Sequence, residues 1–302
     1  MSLVVVGSVA LDTVETPRGR VDDALGGAAL YFALAASFFT PVRMVGVVGA
    51  DFPRATLDEL RRRGIDLAGV EEAPGKTFRW TGRYHEDVNV RDTLHLDLGV
   101  FATFRPKLPD SYRDSRNVFL ANIDPLLQAS VLDQLPAPRI IGCDTMNHWI
   151  LESRPALEHL LARVGILVIN DEEARLLSGE RNIVKAAAKI LSMGPTSVLI
   201  KRGEYGVIQF AGDSVFAVPA FPLEEVTDPT GAGDCFAGGF MGELTRSGDT
   251  SAAGIRRAIV YGSVMGSFVV EDFGPRRLLQ LERADIDRRY RQFVSLTDID
   301  GD

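Results

Sequence analysis

Short apolar runs rich in β-branched residues alternate along this chain with longer segments of helical character, and that alternation constrains the fold more than any other feature. Residues 3–7 carry no polar side chain, as a central strand covered on both faces requires. Residues 28–37, after Gly26-Gly27, read as a buried helix. Residues 42–48 read as a strand, and 55–63 as a helix with a charged face closed by Gly64. From residue 117 the rhythm resumes, with strands at 118–123, 139–143, 166–169 and 197–201 alternating with helices at 126–135, 155–164, 172–177 and 184–191. Residues 207–210 and 215–218 form an expected hairpin turning at Gly212-Asp213. A strand then leads through a glycine-rich turn into a helix from about residue 233; another helix spans 252–269, and a charged surface helix 279–293. This order predicts a mainly parallel sheet with helices on both faces, binding its ligands at the carboxyl ends of the strands.

One stretch breaks the rhythm. Between residues 76 and 104, Phe78, Trp80, Gly82 and Tyr84 alternate with Thr77, Arg79, Thr81 and Arg83, the period-2 pattern of a sheet covered on one face. The expected organisation is one domain over residues 1–302 with an inserted β lid at roughly 75–104, completed by part of 12–25. The lid aromatics are either a covered apolar face, a dimer contact or a stacking surface for substrate. Arg79, Arg83, Asn89 and Arg91 are candidates for polar selectivity.

The 33 basic and 41 acidic side chains give a net charge of −8, which argues against a nucleic-acid partner. Two cysteines, Cys143 and Cys235, fit a reducing compartment. The four histidines show no metal-ligand spacing. The opening residues read as a first strand rather than a signal peptide. The longest apolar stretch, 28–39, is shorter than the roughly 20 residues that cross a bilayer. A soluble, cytoplasmic protein with no membrane partner is expected.

The chemistry concentrates in Asp228-Pro-Thr-Gly-Ala-Gly-Asp234. Gly231 and Gly233 let the backbone bend and approach a ligand closely. The amides of Gly231, Ala232 and Gly233 then point outward at a helix N-terminus, where unpaired N–H groups and the helix dipole hold anions. Asp234, in the first turn, is placed to accept the proton of an attacking hydroxyl. The plain alternative is a turn with a helix cap. Gly-Ala-Gly-Asp alone would arise by chance in about one chain of this length in a hundred.

The longer run, continuing through Asp234-Cys-Phe-Ala-Gly-Gly-Phe-Met241, resembles the carboxy-terminal motif of the PfkB/ribokinase family of carbohydrate kinases. Other segments resemble the family in order and spacing from residue 3 to about 275. Asn170-Asp-Glu-Glu173 is similar to its Asn-x-x-Glu motif, and Lys201-Arg-Gly-Glu-Tyr-Gly206 to its nucleotide-side segment. Gly26-Gly27 is similar to its sugar-side glycines, and Gly7 through Asp12 to its opening strand with a substrate-binding Asp. The resemblance implies a ribokinase-like three-layer α/β/α fold and transfer of the ATP γ-phosphoryl group to a hydroxyl of a sugar or sugar-like molecule. It implies Asp234 as base, Gly231, Ala232 and Gly233 as anion hole, and Asn170, Lys201, Gly203 and Gly206 on the ATP side. Asp12, Gly26, Gly27, Tyr31 and Asn122 fall on the substrate side. Glu173 would orient Mg²⁺ through water, and Asp228 and Thr230 are candidates for holding a monovalent cation such as K⁺.

Each of these has a structural alternative. Asn170 and Glu173 fit a capping box, and Lys201 a surface charge at a strand end. Asp228 and Thr230 fit an Asx-type turn, and Asp12 a solvated loop. Asp124, Asp144, Asn147 and His148 follow strands and are equally readable as loop caps. The chain also departs from the family pattern. Tyr31 stands where ribokinase-like members carry a sugar-binding Asn, and Pro229-Thr230 replaces a common Thr-Thr. The segment Gly46-Val-Val-Gly49 with Asp51 matches only in part. A nucleoside kinase is therefore the alternative within the family, and a non-catalytic nucleotide- or sugar-binding regulator the alternative outside it. A dinucleotide oxidoreductase ranks lower, because no Gly-x-Gly-x-x-Gly follows the first strand. A homodimer through the lid is the expected assembly.

Overall fold

A computed structural model describes residues 2–297. Nine strands form the large sheet, in the order β13-β12-β11-β10-β9-β8-β1-β4-β5. These are β1 (Leu3–Val6), β4 (Val42–Gly49), β5 (Ile65–Ala73), β8 (Asn117–Leu120), β9 (Ile140–Cys143), β10 (Ile166–Asn170), β11 (Ser197–Lys201), β12 (Val207–Ala211) and β13 (Ser214–Val218). The seven strands from β11 to β5 pair in parallel. β12 and β13 add an antiparallel hairpin at one edge. The chain runs outward from β1 through β4 to β5, then crosses to β8 and runs the other way. The order reverses between β1 and β8, where open α/β sheets bind ligands.

β1 shows why this strand is central. Its four side chains are fully buried. Leu3 and Val5 join the core shared with α1 (Ala28–Ser37), α8 (Ala232–Ser247) and α9 (Ala252–Val269). Val4 and Val6 face the opposite core, with residues of α3 (Pro125–Leu132) and α5 (Arg154–Leu161). Strand periodicity sends alternate residues to the two helical layers. A third core beneath β10 and β11 takes residues from α4 (Asn147–Glu152), α6 (Asp171–Ser178) and α7 (Ile183–Leu191). α2 (Arg54–Arg62) covers β5 with Leu57 and Leu60.

A second sheet of four strands runs β3-β2-β6-β7, formed by β2 (Ala10–Thr16), β3 (Gly19–Gly26), β6 (Phe78–Tyr84) and β7 (Arg91–Asp97). β2 pairs with β6 in parallel, and the two outer pairings are antiparallel. The stretch at 76–104 thus supplies only half of this sheet, β6 and β7. Residues 10–26 supply the other half, immediately after the central strand.

Two expectations need correction. No strand precedes the glycine-rich run: residues 219–231 form a loop between β13 and α8. Pro219, Pro222 and Pro229 lack the N–H donors a ladder needs. The loop is instead pinned by the Thr227 and Asp228 amides, which donate to the carbonyl of Val270 at the end of α9. The charged segment near the carboxyl end is two helices, α10 (Arg276–Gln280) and α11 (Arg283–Thr297). α11 buries Ile286 and Phe293 against the core while its other faces stay in water.

Candidate active site

The carboxyl ends of the parallel strands and the small sheet converge on the N-terminus of α8. Gly231 is its N-cap, with φ 78° and ψ 0°, a left-handed conformation that favours glycine. A Cβ at Gly231 would lie 2.6 Å from the ring of Tyr31, which packs against the turn from α1. Tyr31, expected on the substrate side, is only 1% exposed and forms the wall behind the glycine turn. Residues 28–36 of α1 are all buried, which leaves that ring nowhere else to go.

Gly233 is close-packed for another reason: its missing Cβ leaves room for the Lys201 ammonium, which reaches over from the end of β11. Asp234, the one acidic residue in the first turn of α8, lies beside it. Burial pushes the Asp234 carboxyl up from its ordinary range, and the charges of Lys201 and Arg91 oppose the shift.

Asn170 and Glu173 form a reciprocal capping box at the start of α6. The Glu173 amide donates to Asn170 Oδ1 at 2.7 Å, and the Asn170 amide donates to Glu173 Oε2 at 2.8 Å. The cap fixes the Glu173 carboxylate at the strand end, so structural and functional readings are both open to it. Burial raises the Glu173 carboxyl while Lys201 pulls it down.

Asp228 is fully buried and accepts from two amides, Thr230 N–H at 2.9 Å and Gly274 N–H at 2.9 Å. The Asx-type turn is therefore present, and it ties the loop to the segment after α9. Thr230 Oγ1 contacts the Tyr84 hydroxyl at 3.2 Å, which joins the turn to the small sheet.

Asp12 lies on β2, opposite Ala24 on one side and Trp80 on the other. Its carboxylate fills the space that Gly26 leaves without a side chain. Gly27 adopts φ 94°, and a Cβ there would meet the Ser8 carbonyl at 2.5 Å, so both backbone and space require glycine. Desolvation, with Asp228 and Asp234 nearby, raises the Asp12 carboxyl to about 8. Asp12 is thus a buried carboxyl facing the site rather than a solvated loop residue.

Some expected residues have other employment. The Asn122 amide is held by α4: its Oδ1 accepts from Trp149 Nε1 at 2.9 Å, and its Nδ2 meets Met146 Sδ at 3.2 Å. Gly206, with φ 85°, is required by its own hairpin, since a side chain would strike the Val218 carbonyl. Gly203 lies against Asn89 of the small sheet, and Asn89 also donates to Glu204 at 2.8 Å. The small sheet therefore rests on the 203–206 turn as well as on Thr230. Of the four polar selectivity candidates, Arg79 bridges Asp23 and Asp51, and Arg83 bonds Glu15 at 2.7 Å. Only Arg91 directs its charge to the site.

Asp144, one residue beyond β9, was readable as a loop cap. It is 6% exposed, and its Oδ1, like Thr145 Oγ1, is a buried atom with no hydrogen-bond partner. Burial and the neighbouring Asp234 push its carboxyl well up, against the pull of Lys201. Among the described residues, neither Lys201 nor Arg91 has an ion-pair partner within 4 Å. Two unpaired cations, a helix N-terminus and the one orphaned carboxylate oxygen of Asp144 suit a nucleotide phosphate chain with a hydrated divalent ion. Among the described residues, no three metal-type side chains converge on one point. Among the described residues, no helix is long and apolar enough to cross a membrane.

The model of the pfkB family of carbohydrate kinases matches residues 2–281. A cytidine kinase of Thermococcus kodakarensis is 34% identical over 251 residues, 82% of this chain and 89% of the relative. A ribokinase of Staphylococcus aureus is 32% identical over 261 residues, 81% and 79% of the two chains. The solved nucleoside kinase of Burkholderia thailandensis, in complex with inosine, superposes with a TM-score of 0.76 at 22% identity, covering 97% of this chain and 99% of its own. That likeness supports the fold drawn from the strand order. With the family match along nearly all of its length, the chain belongs to the PfkB family of carbohydrate kinases.

Proposed function

We propose that this kinase phosphorylates a ribonucleoside in preference to a free sugar. The chain is an ATP-dependent phosphotransferase acting on a hydroxyl of a sugar or nucleoside. The observation that carries the finer reading is the register of β2 and β6, which sets the half-buried Trp80 ring directly beside Asp12. A carboxylate that holds two ribose hydroxyls would then have an aromatic surface at the distance where a base begins. A free sugar has nothing to place there. Tyr31 also removes the Asn that ribokinase-like members of the family use for sugar.

In this reading each group of the site has a role in the transfer. The acceptor hydroxyl oxygen attacks the γ-phosphorus in line, the bond to the β-bridging oxygen breaks, and ADP leaves with that electron pair. Asp234 accepts the hydroxyl proton. The amides of Gly231, Ala232 and Gly233 and the Lys201 ammonium stabilise charge on the equatorial oxygens. Mg²⁺, when bound, neutralises phosphate charge, and Glu173 and Asp144 are the carboxylates we assign to it through water. Asn170 fixes Glu173. Gly203 and Gly206 shape the nucleotide-side turn, and the small sheet acts as a lid that keeps water from the phosphoryl group. Asp228 lies behind the anion hole with Thr230, so activation by K⁺ is part of this reading. Rates in KCl and NaCl test it.

A panel of ribose, fructose and the ribonucleosides with ATP tests the acceptor. A stacked base is worth about 1–3 kcal/mol, so the best nucleoside should exceed the best free sugar in kcat/KM by about 5- to 150-fold. A free sugar ahead of every nucleoside overturns the proposal. With its carboxyl at about 8, Asp12 is mostly protonated at pH 7 and ionised at pH 9. If the ionised form holds the hydroxyls, acceptor binding should tighten about tenfold over that interval. The Asp12→Asn variant should be flat; flat binding in the wild type would remove Asp12 from this role.

We also assign the free edge of the small sheet to a second copy of the chain. Leu94, Leu96 and Leu98 are 45%, 53% and 42% exposed on or beside β7, an edge strand with unpaired backbone groups. Sedimentation should give a dimer at micromolar concentration and a monomer for the Leu94→Lys/Leu98→Lys variant. A monomeric wild type sinks the assignment.

A further inference from the structure

We propose that Arg91 is a catalytic residue carried by the small sheet, its guanidinium touching the phosphoryl group in transit. The inference rests on the kinase reading above and adds to it a group from outside the glycine-rich turn.

The other three candidates for polar selectivity are committed elsewhere. Arg79 is taken by Asp23 and Asp51, Arg83 by Glu15, and Asn89 by Asp87 and Glu204. Arg91 differs. It opens β7 directly opposite Tyr84 and lies over the Trp80 ring at 5.5 Å from the centroid. Tyr84 in turn contacts Thr230 Oγ1, one residue before the anion cradle. The Arg91 guanidinium is thus held on two aromatic residues of its own sheet, and that sheet is fastened to the cradle.

Its charge points into the site. Asp12, Glu173 and Asp234 all lie within its electrostatic reach, yet none is close enough to form an ion pair. A cation simply balancing those carboxylates would close on one of them. Lys201 approaches the same place from the large sheet, against Gly233, and is equally uncompensated. Two cations on opposite walls, each standing off the surrounding carboxylates, frame a position for a multiply charged anion between them. The α8 amides point at that position, and the phosphoryl group crosses it. Lys201 is fixed to the core sheet, whereas Arg91 belongs to the edge of the small one. Its charge therefore depends on the contacts that seat that sheet on the cradle.

The transfer remains the one written above. Arg91 makes or breaks no bond; its N–H donors meet the equatorial oxygens as negative charge is redistributed from the acceptor oxygen to the departing ADP.

Arg91→Ala, Arg91→Lys and Tyr84→Phe are assayed with ATP and the best acceptor. Calorimetry follows ADP alone, and ADP with aluminium tetrafluoride and acceptor as a mimic of the transferring group. Arg91→Ala should lower kcat by about 100- to 1,000-fold, with both KM values within about threefold. It should weaken the aluminium fluoride complex by a similar factor and leave ADP binding unchanged. Added guanidinium should restore part of the rate. Tyr84→Phe, which keeps the cation, should lose no more than about tenfold. A kcat for Arg91→Ala within threefold of wild type overturns the inference, as does a loss confined to acceptor KM. A Tyr84→Phe loss equal to that of Arg91→Ala also overturns it, because the effect would then lie in packing. If Arg91→Ala does not fold, Arg91→Lys at wild-type rate overturns it. A wild type that phosphorylates no acceptor overturns the parent reading itself, which separates the two failures.

Discussion

Replacing Asp234 by Asn should lower kcat about 1,000-fold while ATP binds as well as or better than in the wild type. General-base contributions typically run from about 100- to 10,000-fold. A loss well inside that range is expected because burial strengthens this carboxylate as a base. Lys201 and Arg91 oppose that shift and keep the ionised form available. Asn fills the same volume in the first turn of α8 and can still accept hydrogen bonds, but it cannot take up the hydroxyl proton. It also removes a negative charge beside the phosphate site, which is why nucleotide affinity should hold or rise. Single-turnover rates and ADP titrations check both halves. Wild-type turnover by Asp234→Asn would remove the residue from the role of base, and a lost rate accompanied by lost ADP binding would assign it to the phosphate site instead.

The glycine-rich turn and the central strand were legible because each is a local requirement. β1 must be apolar on both faces, and α8 must open on residues that permit φ 78° and close approach. The hairpin β2–β3 was expected only as part of 12–25, and its surface hid the strands themselves. Arg18, Arg20, Asp22 and Asp23 cluster in it, and Asp23 adopts φ 51°. Nothing there shows the apolar alternation by which a half-buried strand is recognised. Its membership of the small sheet follows only from the parallel pairing of β2 with β6, almost seventy positions along the chain. Asp144 and Arg91 were obscure for the same kind of reason. Asp144 is brought near Asp234 because β9 lies next to β10. Arg91 is brought to the same region because Tyr84 fastens its sheet to Thr230. The loop before α8 is a different case. Pro219, Pro222 and Pro229 were present in the sequence, and their missing donors argue against the strand expected there.

Gly231→Ala should be the most damaging of the small substitutions, costing about 100-fold in kcat together with several kcal/mol of stability. The backbone penalty comes first: an L residue in the left-handed region costs about 1–2 kcal/mol. The steric one follows, because the new methyl group would stand 2.6 Å from the Tyr31 ring. That ring is buried on a helix with no polar face to rotate towards, and forcing a methyl group into such packing typically costs about 1–3 kcal/mol. If the ring cannot yield, the turn must, and its amides then miss the oxygens they stabilise. Losing one such donor is worth about 100- to 1,000-fold in comparable anion holes. Gly233→Ala is the matched control. Its φ is not positive, and its methyl group would meet only the flexible end of Lys201. That variant should keep or slightly raise the thermal midpoint while weakening turnover through the displaced ammonium. Thermal melts and kcat for the pair separate backbone from side-chain effects. A Gly231→Ala enzyme with wild-type kcat would mean that the left-handed turn only caps the helix. The anion site would then have to be sought among Lys201, Arg91 and the strand ends alone.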